Sequence, residues 1–249
     1  MIDRHKKLGF KQTIQKKWMD KTVQMMLSGL TEQEIRLELD EYLSNQKQSG
    51  GIGDRGKKTY GMAIALLSSW FSPDSELIPF RNDALNLAKE YPSDEWLPLH
   101  WAVLSASYPF YYYVARQAGR LLNLQEQVTQ AQIFNRLKEH YGDRETVARN
   151  ARYAVRSIVA WGGLKDSGSR GCYEKGTPFK SKDYKITILM YEAALLAMNE
   201  SKCEISLLSN NPAYFSFQLQ MINGDLIAQR SKRIEVVRYG PNDELLKLK

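Results

Sequence analysis

Two helical segments in series, followed by a glycine-rich basic loop, constrain the fold of this chain more than any other feature. The first segment begins at Thr129-Gln-Ala-Gln132, whose outer residues can form a capping box, and it ends at Gly142. The second covers residues 143–161, with Asp143 as its expected cap. A helix, a tight turn, a longer helix and a hairpin-like loop in this order predict a winged helix over residues 123–182.

The second segment has two chemically different faces when it is projected at about 100° per residue. Its apolar side collects Val147, Ala151, Ala154, Val155 and Ile158. The opposite side carries Arg149, Arg152 and Arg156, flanked by Tyr153. Because arginine offers forked donors to guanine edges and phosphates, this face is typical of a helix that reads the major groove. We expect the three guanidinium groups to project unpaired; a surface helix whose arginines pair with acids such as Glu145 is the alternative.

The loop at residues 165–182 is punctuated by glycines and carries five cations that we expect to be exposed. These are Lys165, Arg170, Lys175, Lys180 and Lys182. The loop would press the DNA backbone beside the groove, mainly through Lys165, Arg170 and Lys175. We expect Lys57 and Lys58, at the start of an earlier helix, to extend this footprint.

Composition sets the class of protein and of partner. A net charge of +7 and a pI near 9.2 favour a polyanionic partner, although a merely basic surface fits them equally well. The two cysteines make neither a disulfide framework nor a zinc set, which fits a reducing cytoplasm. We find no signal peptide and no apolar run of the roughly 20 residues that a membrane span needs, so we expect a cytoplasmic protein without a membrane partner.

The rest of the chain is predicted to be mainly helical. Helices are expected near 13–27, 31–43, 57–71, 79–91, 94–107, 109–122, 184–199 and, as a short aromatic helix, 211–224, and the aromatic residues of the N-terminal half are assigned to a helical core. Strands at 233–238 and 244–248 predict a C-terminal β-hairpin. The fold class is therefore a mainly α helical bundle with a winged helix-turn-helix and a small C-terminal β-hairpin. We divide it into domains at 1–122, 123–182 and 183–249.

Residues that carry catalysis do not form a recognisable pattern. Residues 51–59 nearly spell a phosphate loop, but Lys58 stands where Ser or Thr must hold magnesium, and no apolar strand precedes the loop. The three histidines are far apart and have no acid or cysteine at ligand spacing. We therefore expect no catalytic residue, no metal and no cofactor.

Three stretches resemble one known family. They are Arg55-Gly-Lys-Lys-Thr59 opening a helix, Trp101-Ala-Val-Leu-Ser-Ala-Ser-Tyr-Pro-Phe110, and the helix from Glu145 to Trp161 closing on Gly163-Leu164. Over about residues 30–200 the chain resembles the BrxA family of bacterial BREX phage-defence systems, and it differs in its longer basic N-terminus and its C-terminal hairpin. The resemblance implies a helical or winged-helix DNA-binding component that works without catalysis beside larger defence proteins.

These observations together favour a non-enzymatic protein that binds double-stranded DNA. Two other functions fit the same residues. One is a scaffold or assembly subunit of a multi-protein defence complex, whose basic face docks an acidic partner. The other is an RNA-binding helical protein akin to antitermination factors. The sequence leaves the oligomeric state and the bases that are read open.

Overall fold

The computed structural model describes residues 4–46, 56–181, 183–240 and 243–249. These residues are mainly helical, as predicted, and they also form small sheets. The helices are α1 (Lys16–Leu27), α2 (Glu32–Ser44), α3 (Lys57–Phe71), α4 (Ile78–Glu90), α5 (Leu97–Ser107), α6 (Pro109–Leu122), α7 (Gln130–Tyr141), α8 (Glu145–Ala160), α9 (Tyr184–Ala197), α10 (Ile205–Ser209) and α11 (Gly224–Arg230). The strands are β1 (Gln127–Thr129), β2 (Leu164–Asp166), β3 (Cys172–Lys175), β4 (Phe179–Lys180), β5 (Lys202–Glu204), β6 (Phe217–Gln218), β7 (Ile234–Arg238) and β8 (Glu244–Leu248). Residues 51–55 of the near-phosphate loop, which include Arg55, and Lys182 lie outside the described residues.

The start of α7 is fixed by the capping box expected from the sequence. The amide of Gln132 donates to Thr129 Oγ1 at 3.1 Å, and the amide of Thr129 donates to Gln132 Oε1 at 2.8 Å. The expected cap of α8 is wrong: Arg144 occupies that position without a side-chain bond, and Asp143 pairs with Lys138 at 3.1 Å instead. The order of the two helices is as predicted, but the cap of α8 lies one residue later than expected.

The middle of the molecule is an aromatic and aliphatic core. Every residue of α5 is buried, and α5 packs along α9. Trp101 of α5 meets Tyr111 and Phe217 edge to face, at ring-centroid distances of 5.4 and 5.0 Å. In the run of three tyrosines, Tyr111 and Tyr112 are buried and Tyr113 stays half-buried. The assignment of the aromatic residues to a helical core is therefore confirmed.

A three-stranded antiparallel sheet borders α7 and α8. Its strand order is β1–β3–β2, so the strand before α7 pairs with the second of the two strands after α8. Val128, Leu164 and Tyr173 are buried, one from each strand, and they face the helices. The sheet therefore holds the end of α8 and the loop that follows it against α7.

After Lys175 the chain leaves the hairpin-like loop that was expected to continue to residue 182. Phe179–Lys180 pair in parallel with Phe217–Gln218, so β4 belongs to a second sheet and the β2–β3 excursion ends at Lys175. Gly176 makes the exit possible, because a Cβ there would lie 1.8 Å from the carbonyl oxygen of Gly162.

The predicted aromatic helix at residues 211–224 is wrong. A single 3-10 turn at Pro212–Tyr214 is followed by β6, and Asn223 begins α11 where it was expected to end a helix. Its Oδ1 accepts the amide of Leu226 at 3.0 Å. Asparagine caps a helix start through this bond and tolerates a helix end through its backbone, and the sequence does not distinguish the two.

The C-terminal strands join a third sheet. β8 pairs antiparallel with β7 on one edge and with β5 on the other. The buried apolar residues form one continuous cluster, from Phe10 to Leu246. The domain boundaries at 122 and 182 stay a prediction.

The segment before α1 is tied to α8, which matters for the site below. The amide of Ile14 donates to Ser157 Oγ at 2.9 Å, and Trp161 Nε1 donates to the carbonyl of Ile14 at 2.8 Å. Residues 10–14 therefore run along one flank of α8 and leave its outer face uncovered.

Candidate nucleic-acid interface

The back of α8 is built as its sequence predicts. All five apolar residues named above are buried, at 2% exposure or less. Asn150 and Ser157, on the flank, are buried too and donate back to carbonyls four residues earlier in the helix. The packing fixes the rotation of α8, so the opposite side has to face outward.

Arg149 and Arg152 project from that outer face. Both are exposed, and neither forms an ion pair or a hydrogen bond within the described residues. They lie three positions apart, so their side chains extend from the same side of the helix. The interface keeps at least these two guanidinium groups available.

Arg156 differs from the other two arginines. Its Nη1 donates to Asp166 Oδ1 at 2.7 Å, with both side chains about half exposed. The expectation that all three guanidinium groups are unpaired is therefore wrong for Arg156. Asp166 lies on β2, ten residues along, and only the turn of the chain after α8 brings it to this face.

Tyr153 lies between the outer face and the flank. It is half-buried and packs against the core, and its carbonyl accepts the hydroxyl of Ser157 at 2.8 Å. It contributes a partly exposed ring beside Arg149 and Arg152.

The loop between β2 and β3 contributes one further unpaired cation. Gly168 and Gly171 have φ angles of +85° and +77°, which allow the tight reversal, and Arg170 between them is exposed. As far as the described residues go, Arg170 has no partner. It shares a cleft of about 580 Å³ with Arg152, Arg156 and the first residues of α7.

Two of the other predicted loop cations, Lys165 and Lys175, have partners, the first on β3 and the second just after α6. Lys165 faces its cross-strand neighbour Glu174 at 3.6 Å, and Lys175 donates to Asn123 Oδ1 at 3.2 Å. Both remain exposed, so each could exchange its weak partner for a phosphate.

Tyr173 lines the cleft that Arg152, Arg156 and Arg170 share. Its hydroxyl donates to Gln130 Oε1 at 3.3 Å. Burial raises the pKa of Tyr173 above its ordinary value, although the nearby Arg156 and Arg152 act in the opposite direction. The tyrosine is therefore a neutral support for the arginines.

Lys57 and Lys58 are exposed at the start of α3, a helix whose first turn contains no acid. Lys58 lines a groove of about 740 Å³ together with Arg149 and Lys11. The structure thus brings Lys58 to the arginine face, whereas Lys57 stands outside this groove. Two cations at the positive end of a helix dipole repel one another and favour an anion nearby.

Lys11 is a residue that the sequence reasoning missed. It is exposed on the segment that flanks α8, next to Lys7, which pairs with Asp74 at 3.0 Å. The signal was the density of lysines before α1, but only the fold shows which of them meets Arg149.

Within residues 4–46, 56–181, 183–240 and 243–249, no group of three or more His, Cys, Asp or Glu side chains is placed to hold a metal ion. The same ranges contain no helix of the length and apolarity required to span a bilayer.

The outer side of α8 is therefore a basic band that runs from Lys11 and Lys58 through Arg149 and Arg152 to Arg170. No protein-family model, curated protein or solved structure gives a significant match to this chain.

Proposed function

We propose that the chain binds double-stranded DNA with α8 as the helix that enters the major groove. The elements from α6 to β3 would form a winged helix: three helices, with one strand before α7 and a two-stranded hairpin after α8. In this arrangement the helix before the hairpin reads the groove and the hairpin loop contacts the adjacent backbone.

One observation carries the proposal: Arg149 and Arg152 of α8 are exposed and have no partner among the described residues, and the opposite side of the helix is fully buried. An α-helix rises about 1.5 Å per residue, so Arg149 and Arg156 lie roughly 10 Å apart along its axis. This length suits contacts to a few successive base pairs and to the phosphates on either side.

The remaining cations would position the duplex and contribute little to base recognition. Arg170 lies on the loop side of α8, and Lys58 with Lys11 lies at the other end. Each phosphate that they neutralise releases counterions, so binding should weaken steeply with salt. Lys165 and Lys175 would contact phosphates by exchanging their present partners. Lys57 would contact a phosphate because it is exposed next to Lys58.

Replacing both free arginines tests this proposal. In R149Q/R152Q we expect weaker duplex binding and a log–log salt slope smaller by about two, one for each lost contact. The measurement is a fluorescence-anisotropy titration at several salt concentrations. K89Q is the control for a surface charge lost elsewhere, because Lys89 is an exposed lysine of α4 that lines neither groove of α8.

An unchanged salt slope in R149Q/R152Q would contradict the proposal. Tighter binding of duplex RNA or single strands than of duplex DNA would favour the RNA-binding alternative. Binding to an acidic protein with no salt-dependent affinity for nucleic acid would favour the scaffold.

The setting in phage defence rests on the resemblance to BrxA alone. If the chain serves such a system, a host that carries R149Q/R152Q should lose protection in a phage-plating assay, whereas K89Q should keep it. Equal protection in both would argue against a defence role for this interface.

A further inference from the structure

A second basic cleft lies between α6 and the region around β5 and the turn at Pro212. Its volume is about 630 Å³, and it shares no lining residue with the two grooves on α8. The residues that matter for its chemistry are Tyr112, Tyr113, Arg116, Arg120 and Lys202. Volumes of this size are typical of small-molecule sites.

Among the described residues, no acid pairs with the arginines of this cleft. Arg116 is half-buried, and Arg120 lies at the rim one turn later on the same face of α6. Arg136 of α7 does not line the cleft but lies close enough to Arg120 to repel its charge. In the described part of the chain, none of the three forms an ion pair or a hydrogen bond. Like charges at this spacing on a helix destabilise it unless an anion lies between them.

The electrostatics of Arg120 agree with this geometry. Desolvation first, and then repulsion from Arg116, lowers the pKa of Arg120 below its ordinary value, and Arg136 acts in the same direction. The carboxylate of Glu200, which also lines the cleft, is 75% exposed and lies 3.7 Å from Lys202. The cleft thus holds more positive charge than its own acid can balance.

The wall of the cleft is aromatic and polar. The ring of Tyr113, which lines the cleft together with Arg116, stacks on His140 at a centroid distance of 4.9 Å. The hydroxyl of Tyr112 accepts Asn211 Nδ2 at 3.1 Å. A flat wall next to forked guanidinium donors suits a ligand that combines a ring with phosphates.

We propose that this cleft binds a small phosphate-bearing ligand of the size of a nucleoside polyphosphate. Arg116 and Arg120 hold its phosphates, Arg136 balances the remaining charge, and Tyr113 borders the rest of the ligand. The site is separate from the DNA-binding band and does not depend on it. A concave cleft with a half-buried arginine favours a compact anion over the convex backbone of a duplex.

The test is calorimetric titration of the full chain with inorganic tripolyphosphate and, in a second arm, with ATP. We expect saturable binding that R116Q/R120Q weakens by roughly tenfold for each arginine, the usual worth of a hydrogen bond to a charged group. R116K/R120K keeps the positive charges but loses the forked donors of arginine. Its affinity should therefore lie between those of the unmodified chain and of R116Q/R120Q. Equal affinities for tripolyphosphate and ATP would mean that the phosphate chain alone is recognised. Tighter binding of ATP would mean that the aromatic wall also contacts the ligand.

R149Q/R152Q is the matched control, since it removes two arginines from the other surface. It should bind tripolyphosphate as the unmodified chain does, and R116Q/R120Q should retain duplex DNA affinity. The proposal is overturned if tripolyphosphate does not saturate the protein, if R116Q/R120Q binds it equally well, or if duplex DNA displaces it. Failure of DNA binding in R149Q/R152Q alone concerns only the proposed DNA interface.

Discussion

At the scale of single residues, Asp166 sets how much of the arginine face is available. It holds Arg156 at 2.7 Å, while Arg149 and Arg152 have no such neighbour among the described residues. The pair is about half exposed on both sides, so it contributes little to stability. Its effect is on the charge that α8 presents to a polyanion.

Replacing Asp166 should therefore strengthen DNA binding. D166N releases Arg156, and we expect higher duplex affinity at low salt and a salt slope larger by up to about one. The control is E90Q, which causes the same change in net charge by releasing Lys185, 2.5 Å away on a different surface. Equal gains in D166N and E90Q would mean that only net charge matters.

His100 is the second residue with a consequence for the whole chain. It is fully buried, its Nε2 lies 2.9 Å from Asp20 Oδ1, and Lys16 pairs with the same carboxylate. Burial lowers the pKa of His100 below 6.5, and the attraction of Asp20 does not offset it. The unfolded chain therefore takes up this proton at a higher pH than the folded chain does.

Stability should fall as the pH drops below about 6.5, because protonation then favours the unfolded state. Above that pH His100 is neutral in both states, and its full contribution to the free energy of unfolding is present. Denaturant titrations between pH 7.5 and 5 measure the slope, and H100Q, which keeps a donor toward Asp20 without titrating, should flatten it. The same slope in both proteins would assign the loss to other groups.

At the scale of elements, the packing of α6 depends on a glycine in its last turns. A Cβ on Gly119 would lie 1.9 Å from the carbonyl oxygen of Pro212, so the close approach of the 3-10 turn requires glycine at this position. Gly61 of α3 is also helical, but a Cβ there would meet nothing within 4 Å. The two positions share the same gain in helix propensity and differ only in the space around them.

Alanine at the two glycines should have opposite effects. We expect G119A to lower the free energy of unfolding by about 2–3 kcal/mol through the clash with backbone. G61A should raise it by about 0.5–1 kcal/mol, as alanine does in an open helix. Urea titration followed by circular dichroism gives both values. A neutral G119A would show that the Pro212 turn moves away freely.

At the scale of the whole molecule, the buried apolar residues form one cluster that extends from the N-terminal segment to β8. The bonds of Ile14 to Ser157 and Trp161 add a direct link between the two ends of the first 161 residues. We therefore expect the chain to unfold as a unit although it was divided into three domains from its sequence.

Unfolding should show a single transition with coincident probes. The five tryptophans all lie at or before residue 161, so their fluorescence reports the N-terminal part, whereas far-UV circular dichroism also includes α9 and α11. Two separated transitions would support independent domains and contradict the expectation.

Local patterns determined much of the fold. Capping residues and apolar spacing predicted most helices to within a few residues, because both act within one or two turns of the chain. The same spacing determined which side of α8 is buried. The short strands were less visible, since two to four residues carry little periodic signal, and Asn223 shows that one residue type can mark either end of a helix.

The tertiary structure alone decided which charges remain free. The sequence determined that Arg149, Arg152 and Arg156 share one face of a helix, since that follows from helical geometry. It did not determine that Asp166 neutralises the third of them, that Lys11 and Lys58 lie beside the first, or that Arg120 and Arg136 come close from different helices. Those pairings join residues that are distant along the chain, and only the packing of the core brings them together.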